Sequence, residues 1–179
     1  RNMPASLVIT VIGPDRPGLV ESISRTVNQH GGNWTRSRMA HLGGQFAGML
    51  QVHLSEEKDA DSLKAALESL ADDRLQVVIA RESQGDSSPG DGEVHLKLDL
   101  VGQDRTGIVA EISRILTGHG INVEELSTEC ESAPWSGEVL FKTQASLTAP
   151  SSADLDALRD ALEAIAHDLM VEISLVRPA

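Results

Sequence analysis

Two short segments of the chain combine the residue types that a small zwitterionic ligand requires. Residues 13–18 read Gly-Pro-Asp-Arg-Pro-Gly, and residues 102–107 read Gly-Gln-Asp-Arg-Thr-Gly. Each aspartate can accept an ammonium group, and the last glycine of each segment lets a ligand approach the backbone closely. If a helix begins after this glycine, its free N–H groups and its dipole favour a carboxylate. The segments therefore predict α-amino-acid sites, with the candidate contacts Asp15, Arg16, Gly18, Asp104, Arg105 and Gly107.

Two asparagines extend the candidate site. Asn33 and Asn122 each follow a His-Gly-x sequence, a short distance after the first and the second segment. An amide side chain offers both a hydrogen-bond donor and an acceptor, and here it would lie at the start of a strand. We therefore include both asparagines among the predicted ligand contacts.

Each candidate residue also has a structural interpretation. Asp15 and Asp104 fit the N-cap of the following helix, a role that contributes about 1 kcal/mol. The two arginines fit solvated positions or pairs with neighbouring acids, because arginines are common on surfaces. The two asparagines fit the start of a strand after a helix C-terminus. The sequence leaves these alternatives open.

The remaining reactive residues do not combine into a catalytic or metal site. Cys130 is the only cysteine, which excludes an internal disulfide and a Cys-x-x-Cys zinc site. Of the six histidines, His30 and His119 fit the last turn of a helix, and the others lack a partner at ligand spacing. Nucleophile elbows and glycine-rich phosphate loops are absent from the sequence. We expect a protein that is not an enzyme, with no cofactor and no metal.

Composition argues against nucleic acids and membranes as direct partners. The formal net charge is −12 and only 2% of the residues are aromatic, so a phosphate backbone is repelled and few rings can stack on bases. The apolar run at residues 7–12 is too short to cross a membrane. We expect a cytoplasmic protein that reaches DNA only through a protein partner.

An internal repeat positions the candidate residues. Residues 13–34 and 102–123 are identical at 11 of 22 positions, at an offset of 89, and the same offset pairs Gly48 with Gly137. The chain is thus predicted to contain two copies of one unit, joined by a linker rich in Gly and Ser. The predicted bounds are 3–83 for the first domain, 84–92 for the linker and 93–179 for the second domain.

Hydrophobic periodicity predicts the element order βαββαβ in each unit. Residues 5–12 and 94–100 alternate like strands, and the apolar residues between 19 and 27 recur at helical spacing. Gly43-Gly44 is typical of a tight hairpin turn. This order belongs to the ferredoxin-like sandwich. The predicted fold class is therefore α+β, with two four-stranded antiparallel sheets in tandem and two helices on one face of each.

The hairpin register also predicts a surface for association. It places the following residues on the first sheet's open face, away from the helices: Trp34, Arg36, Arg38, Met49 and His53. The same register exposes Val123, Glu125, Ser127 and Glu129 in the second unit. Such half-apolar faces with opposite charges favour association, and we expect a homodimer.

The duplicated Gly-x-Asp-Arg-x-Gly segments, each followed by His-Gly-x-Asn, resemble the motif of ACT domains, which are small-molecule sensors of amino-acid metabolism. The tandem pair, with Ala-Pro-Trp-Ser-Gly-Glu-Val-Leu-Phe at residues 133–141, is similar to the glycine cleavage system transcriptional repressor family. The resemblance covers the chain apart from the linker. It implies a non-catalytic regulator that binds a small amino acid, with glycine as the signal, and contacts a protein such as a transcriptional activator.

The resemblance also implies where a ligand binds. Similar ACT domains use the turn and the asparagine, usually at an interface between two domains. Thr106 replaces Pro17 in the second copy, so we expect the two sites to differ. The alternative is a detached or truncated regulatory ACT module of an enzyme of amino-acid or one-carbon metabolism.

Overall fold

Each half of the chain folds into a four-stranded antiparallel sheet with two helices. The structure is a computed structural model that describes residues 4–71, 74–82, 92–134 and 136–178. These residues form two compact units, one on each side of residues 83–91. Gly92 is the only part of the predicted linker within the described residues, and Trp135 also lies outside them. The predicted fold class is confirmed.

The two units have the same element order and the same strand order. The first contains β1 (Ala5–Pro14), α1 (Leu19–Gln29), β2 (Gly32–Leu42), β3 (Gln45–Leu54), α2 (Glu57–Leu70) and β4 (Gln76–Arg81). The second contains β5 (Glu93–Gln103), α3 (Ile108–Gly118), β6 (Asn122–Ser132), β7 (Val139–Pro150), α4 (Leu155–Leu169) and β8 (Val171–Val176). The strand orders are β2-β3-β1-β4 and β6-β7-β5-β8, so β1 and β5 are central strands.

Alternation along the central strand decides which face of each sheet is buried. Leu7, Ile9 and Val11 of β1 face the helices and are at most 2% exposed. Ile23 and Val27 of α1 pack into the same core, one helical turn apart. The second unit repeats this pattern with β5 and α3. Burial of these apolar faces drives the folding of each unit.

The units differ in the hairpin between their second and third strands. Gly43 and Gly44 join β2 to β3, and their φ angles of 58° and 78° are those of a tight type I′ turn. In the second unit β6 ends at Ser132 and β7 begins at Val139, so the offset of 89 does not continue into β7. The predicted correspondence of Gly48 with Gly137 is therefore wrong. Gly48 opposes Val11 within the sheet, whereas Gly137 lies in the hairpin loop.

A β-bulge changes the predicted register near the start of each hairpin. In the first unit the register shifts after Trp34, so that Trp34 opposes Val52 and Asn33 opposes His53. A bulge adds one unpaired residue and moves the preceding side chains to the other face. Trp34 therefore packs against the core, and its predicted place on the open face is wrong. The bulge in β6 moves Val123 to the helix side in the same way.

The other residues predicted on the open faces do lie there. Ladder pairing gives this face to Arg36, Arg38, Met49 and His53 in the first unit. It gives the same face to Glu125, Ser127 and Glu129 in the second. Nearby, the Lys142 side chain donates a hydrogen bond to Glu131, which lowers the pKa of that carboxyl and raises the pKa of Lys142. Association through these faces stays a prediction.

The first glycine of each repeated segment is required by packing. A Cβ atom on Gly13 would lie 2.8 Å from the carbonyl oxygen of Arg74. A Cβ atom on Gly102 would lie 2.8 Å from the Cα atom of Val171. In both units a neighbouring backbone passes too close for a side chain. The presence of glycine at this position in both segments is therefore explained by the fold, without a ligand.

We expect Gly102→Ala to lower the free energy of unfolding of the second unit by about 1–3 kcal/mol, because the added methyl group presses against backbone. Gly118→Ala is a matched control. Gly118 ends α3, and a Cβ atom there meets nothing within 4 Å. That variant should gain about 0.5–1 kcal/mol, since alanine restricts the unfolded chain. Urea denaturation measures both changes, and equal stability of the two variants would contradict the packing argument.

Candidate functional site

The turn from the central strand into the first helix of each unit forms the candidate site. Gly18 is the N-cap of α1 with a φ of 84°, and Gly107 is the N-cap of α3 with a φ of 95°. This left-handed conformation favours glycine. The N–H of Ser22 donates to the Gly18 carbonyl at 2.9 Å, and the N–H of Glu111 donates to the Gly107 carbonyl at 3.0 Å. Both helices therefore begin at a glycine.

Within the described part of the chain, no side chain caps the start of α1 or of α3. The start of α4 is different, because Asp154 Oδ1 accepts a hydrogen bond from the N–H of Ala157 at 3.0 Å. The first N–H groups of α1 and α3 keep their capacity to donate, and the helix dipole adds a partial positive charge. A carboxylate or another anion can bind at such a position.

Asp15 and Asp104 connect the turn to the hairpin and do not cap the helix. The N–H of Asp15 donates to the Gly44 carbonyl at 3.1 Å, and the N–H of Asp104 donates to the Val139 carbonyl at 2.9 Å. The N-cap interpretation of both aspartates is wrong, because glycine occupies that position three residues later. Both aspartates are exposed at the turn. They are therefore placed to accept a cationic group.

His41 is a candidate residue that the sequence did not reveal. Its Nε2 lies 3.8 Å from Oδ2 of Asp15. The hairpin spacing places His41 near the tip, but only the pairing of β3 with β1 brings that tip to the turn. Cys130 takes the corresponding place in the second unit, since it opposes Phe141 as His41 opposes Phe46. The two turns therefore have different neighbours.

Arg105 contacts backbone carbonyls and not the side chain of a neighbouring acid. Its Nη1 lies 3.4 Å from the carbonyl oxygens of both Asp168 and Leu169, at the C-terminal end of α4. A positive charge is favourable there, because the last carbonyls of a helix have no partner within the helix. Arg16 is exposed at the first turn and stays a candidate contact.

The candidate asparagines lie at the opposite end of the sheet from the turns. Asn33 opposes His53, which in turn opposes Ser6 near the start of β1. The turn follows the other end of β1, and the strand from Ser6 to Gly13 spans roughly 23 Å at ~3.3 Å per residue. Asn122 is separated from its turn by the same topology. Neither unit brings its own asparagine and aspartate onto one small ligand.

Asn122 takes part in a local network at the β6 bulge. Its side-chain amide donates to Oε1 of Glu124, which also accepts a hydrogen bond from Thr148 Oγ1 at 2.9 Å. Thr35 takes the place of Glu124 in the first unit, and its Oγ1 donates to the Gln51 carbonyl at 3.3 Å. The surroundings of the two asparagines therefore differ.

The histidines and acidic residues of the described segments do not gather into a metal site. Within residues 4–71, 74–82, 92–134 and 136–178, no three His, Cys, Asp or Glu side chains are placed to hold a metal ion. His30 instead ends α1, with Nδ1 at 2.9 Å from the Thr26 carbonyl that accepts its proton. In the same residues, no helix combines the length and the apolar character needed to cross a membrane.

The fold and the turn together define the class of this protein. Residues 5–79 match the family model of the ACT domain, so the first unit is an ACT domain. The second unit has the same element order, the same strand order and the same glycine at its turn. The chain therefore contains one ACT domain and a second unit with the same fold.

Known proteins with similar sequences point to a more specific resemblance. The glycine cleavage system transcriptional repressors of Escherichia coli and Shigella flexneri are each 28% identical over 171 residues, which span 94% of this chain and 88% of each repressor. The chain therefore resembles that family. The crystal structure of an unknown protein from Galdieria sulphuraria is 31% identical, covers 99% of this chain and 100% of its own, and has a TM-score of 0.87.

A second solved structure bears on the fold alone. It is provisionally assigned as a glycine cleavage system transcriptional repressor and is 23% identical to this chain. It covers 98% of this chain and 99% of its own, with a TM-score of 0.68. The tandem arrangement of two such units is therefore found in a protein of similar length.

We expect Asp154→Ala to lower the free energy of unfolding by about 1 kcal/mol, because it removes the side-chain acceptor at the start of α4. Asp15→Ala serves as the comparison and should change stability by less than about 0.5 kcal/mol, since it removes no helix cap. Urea denaturation at neutral pH measures both variants. If Asp15→Ala lowered the free energy of unfolding by about 1 kcal/mol, Asp15 would have to be a cap of α1.

Proposed function

We propose that this protein is a non-catalytic regulator that senses a small amino acid and acts by contacting another protein. The observation that carries the proposal is the turn that begins α1 and α3. It occurs twice, each time with an uncapped helix start and an exposed aspartate beside it. The resemblance to proteins named glycine cleavage system transcriptional repressor supports the regulatory part of the proposal.

The proposed ligand binds across the turn. Its carboxylate accepts hydrogen bonds from the first N–H groups of α1, and its ammonium pairs with the exposed carboxylate of Asp15. Arg16 adds positive charge on the carboxylate side. The turn at Asp104 and Gly107 binds in the same way, except that Arg105 is held by the end of α4. We favour glycine as the ligand, because the named relatives are regulators of glycine cleavage.

A second copy of the chain supplies the asparagines in this proposal. Asn33 and Asn122 lie at the far ends of their own sheets, so each is out of reach of its own turn. In a homodimer, the asparagine of one protomer can complete a turn of its partner. Ligand binding and assembly then strengthen each other by mass action.

The two turns are proposed to bind with different affinity. His41 lies beside Asp15, whereas Cys130 takes the corresponding place in the second unit. Thr106 also replaces Pro17, whose ring restricts the backbone just before the glycine. The first turn is therefore the more restricted one before a ligand arrives, and we propose that it is the tighter site.

The regulatory output is proposed to pass through a protein partner such as a transcriptional activator. The formal net charge of −12 makes direct contact with the phosphate backbone unfavourable. A protein that lowers the activity of an activator needs no DNA-binding surface of its own. This route fits both the acidic composition and the resemblance to transcriptional repressors.

Glycine at millimolar concentration should raise the melting temperature, because a ligand that binds only the native state stabilises it. Calorimetric titration should then show Asn33→Ala and Asn122→Ala to bind more weakly by about 1–2 kcal/mol each, through the loss of a polar partner. Asn28→Ala is a matched control, since Asn28 is exposed on α1, and it should bind like the native protein.

Two results would contradict the binding proposal. If none of the twenty amino acids shifts the melting temperature, the sensing role is wrong. If the Asn33→Ala, Asn122→Ala double variant binds with native affinity, the asparagines are structural and only the turns contact the ligand. Sedimentation with and without glycine tests the dimer separately, because the proposed complete site requires two protomers.

The purified protein alone should form no sequence-specific complex with duplex DNA in a gel-shift assay, because its negative charge repels the phosphates. Addition of the activator protein should produce a complex whose mobility depends on this chain. A specific shift by this protein without any partner would overturn the indirect route.

A further inference from the structure

The second strand of each unit lies at an edge of its sheet and carries charges of one sign. In the described part of the chain, β2 has β3 as its single neighbouring strand, and β6 has β7. β2 contains Arg36 and Arg38 and no acidic residue, whereas β6 contains no basic residue. The acidic residues of β6 are Glu124, Glu125, Glu129 and Glu131. Two equivalent strands of one repeat therefore have opposite charge.

These charges bear on which strand can pair with each edge. An edge strand presents backbone N–H and C=O groups that another strand can bind. β2 and β6 each have 11 residues, which is long for an edge. Like charges opposite each other are destabilising, so they disfavour the pairing of β2 with β2 and of β6 with β6. A strand of opposite charge fits either edge, and each edge of this chain is such a strand for the other.

Apolar side chains lie beside each edge on the helix side of the sheet. Val123 and Leu126 of β6 form an apolar groove with Val109 of α3, and these three residues are 38–51% exposed. Val20 holds the position of Val109 on α1, which packs beside β2, and it is 45% exposed. A second layer of helices beside the edge would remove this apolar surface from water, which is favourable.

We propose that β2 of one copy of the chain pairs with β6 of a second copy, and β6 of the first with β2 of the second. Each pairing joins two four-stranded sheets into one continuous sheet. A closed dimer of this kind leaves no edge of either type unpaired. The proposal shares the homodimer with the proposed function but requires no bound amino acid.

The equivalence of the two edges determines the strand direction. β2 and β6 hold the same place in their sheets, and the helices lie on the same face of each. If two such edges meet with all helices on one side, one unit is rotated by half a turn about the sheet normal, so the strands run antiparallel. Parallel pairing would put the helices on opposite faces and separate Val20 from Val109.

The charges also determine the register. Arg36 and Arg38 lie on the open face of β2, as Glu129 and Glu131 do on β6. Only one antiparallel register places a glutamate opposite both arginines, with Glu131 opposite Arg36 and Glu129 opposite Arg38. A shift by two residues leaves one pair at most, and a shift by one puts the arginines on the other face. Exposed ion pairs contribute little to affinity, so they select the partner strand while backbone hydrogen bonds and apolar contacts hold it.

This register brings two exposed helix-side residues together, which allows a direct test. Ser37 opposes Leu50 in its own sheet, and Cys130 opposes Phe141 in its own. In the proposed register Ser37 lies opposite Cys130 of the second copy. Opposed residues of an antiparallel pair have Cα atoms about 4.5–5.5 Å apart. This distance suits a disulfide bond, which needs about 4.4–6.8 Å.

Mild oxidation of full-length Ser37→Cys should therefore convert most of the protein into disulfide-linked dimers on a non-reducing gel, because Cys130 is the only native cysteine. Mass spectrometry of the peptides should identify the link between positions 37 and 130. Ser174→Cys is the matched control, since Ser174 is exposed on β8 at the opposite edge of the second sheet, and it should not form the link. A link within one chain, or a yield no higher than in the control, would overturn the proposal.

A charge exchange tests the same pairing in solution. The double variant Arg36→Glu, Arg38→Glu should raise the dissociation constant of the dimer about tenfold or more in sedimentation experiments, because it places like charges opposite each other. Adding Glu129→Arg and Glu131→Arg to that variant should restore the native constant. Native dimerisation of the double arginine variant would contradict the proposed register.

The control for the rescue is the pair Glu163→Arg and Glu172→Arg. Both glutamates are exposed, on α4 and β8, so the exchange changes the net charge equally without touching either edge. It should not restore the dimer. Circular dichroism identifies a variant that fails to fold, in which case the Ser37→Cys link decides.

The outcome can be separated from that of the amino-acid site. The link between positions 37 and 130 is expected with and without glycine. A native protein that sediments as a monomer at every concentration would overturn the edge pairing, whether or not glycine raises its melting temperature. A dimer without the link would show that the copies associate through another surface, and it would overturn the proposal as well.

Discussion

The central strand of each unit is paired along both edges and buried on one face, and the other elements are arranged around it. At its end the chain must turn into a helix while the backbone of the neighbouring segment passes beside it. That close approach leaves no room for a side chain at Gly13 or Gly102. The helix then begins from a left-handed residue, which explains Gly18 and Gly107. The turn is a consequence of how the central strand is packed.

This constraint gives the residues of the repeated segment different roles. The first glycine belongs to packing and the last to the conformation of the helix start. The aspartate between them is exposed, and its backbone N–H donates a hydrogen bond to the hairpin. The same backbone geometry that satisfies the fold leaves helix N–H groups without a side-chain acceptor. An anion site therefore arises from the fold, and the exposed carboxylate beside it adds the capacity to bind a cation.

The two units differ in regions that the packing of the central strand does not constrain. The hairpin has two residues between its strands in the first unit and six in the second. Its tip brings His41 to Asp15 in one copy, while Cys130 takes that position in the other. On the helix-facing side of the sheet, Trp34 and Leu50 stand where the second unit has the smaller Val123 and Ala145. The central strands therefore have the same architecture in both units, whereas the edges of the two sheets have different neighbouring residues.

The sequence by itself determined the element order, the tandem arrangement and the turns that carry the candidate site. These features are local or repeated: apolar spacing defines α1, a glycine pair defines the first hairpin, and the duplicated segment identifies equivalent turns. The tertiary structure decided the rest. It moved Trp34 to the core through a bulge, excluded Asp15 as a helix cap, and placed Asn33 at the far end of the sheet. Strand register, bulges and the close approach of backbone segments depend on hydrogen bonds and contacts between residues far apart in the chain. A local sequence pattern therefore does not predict them.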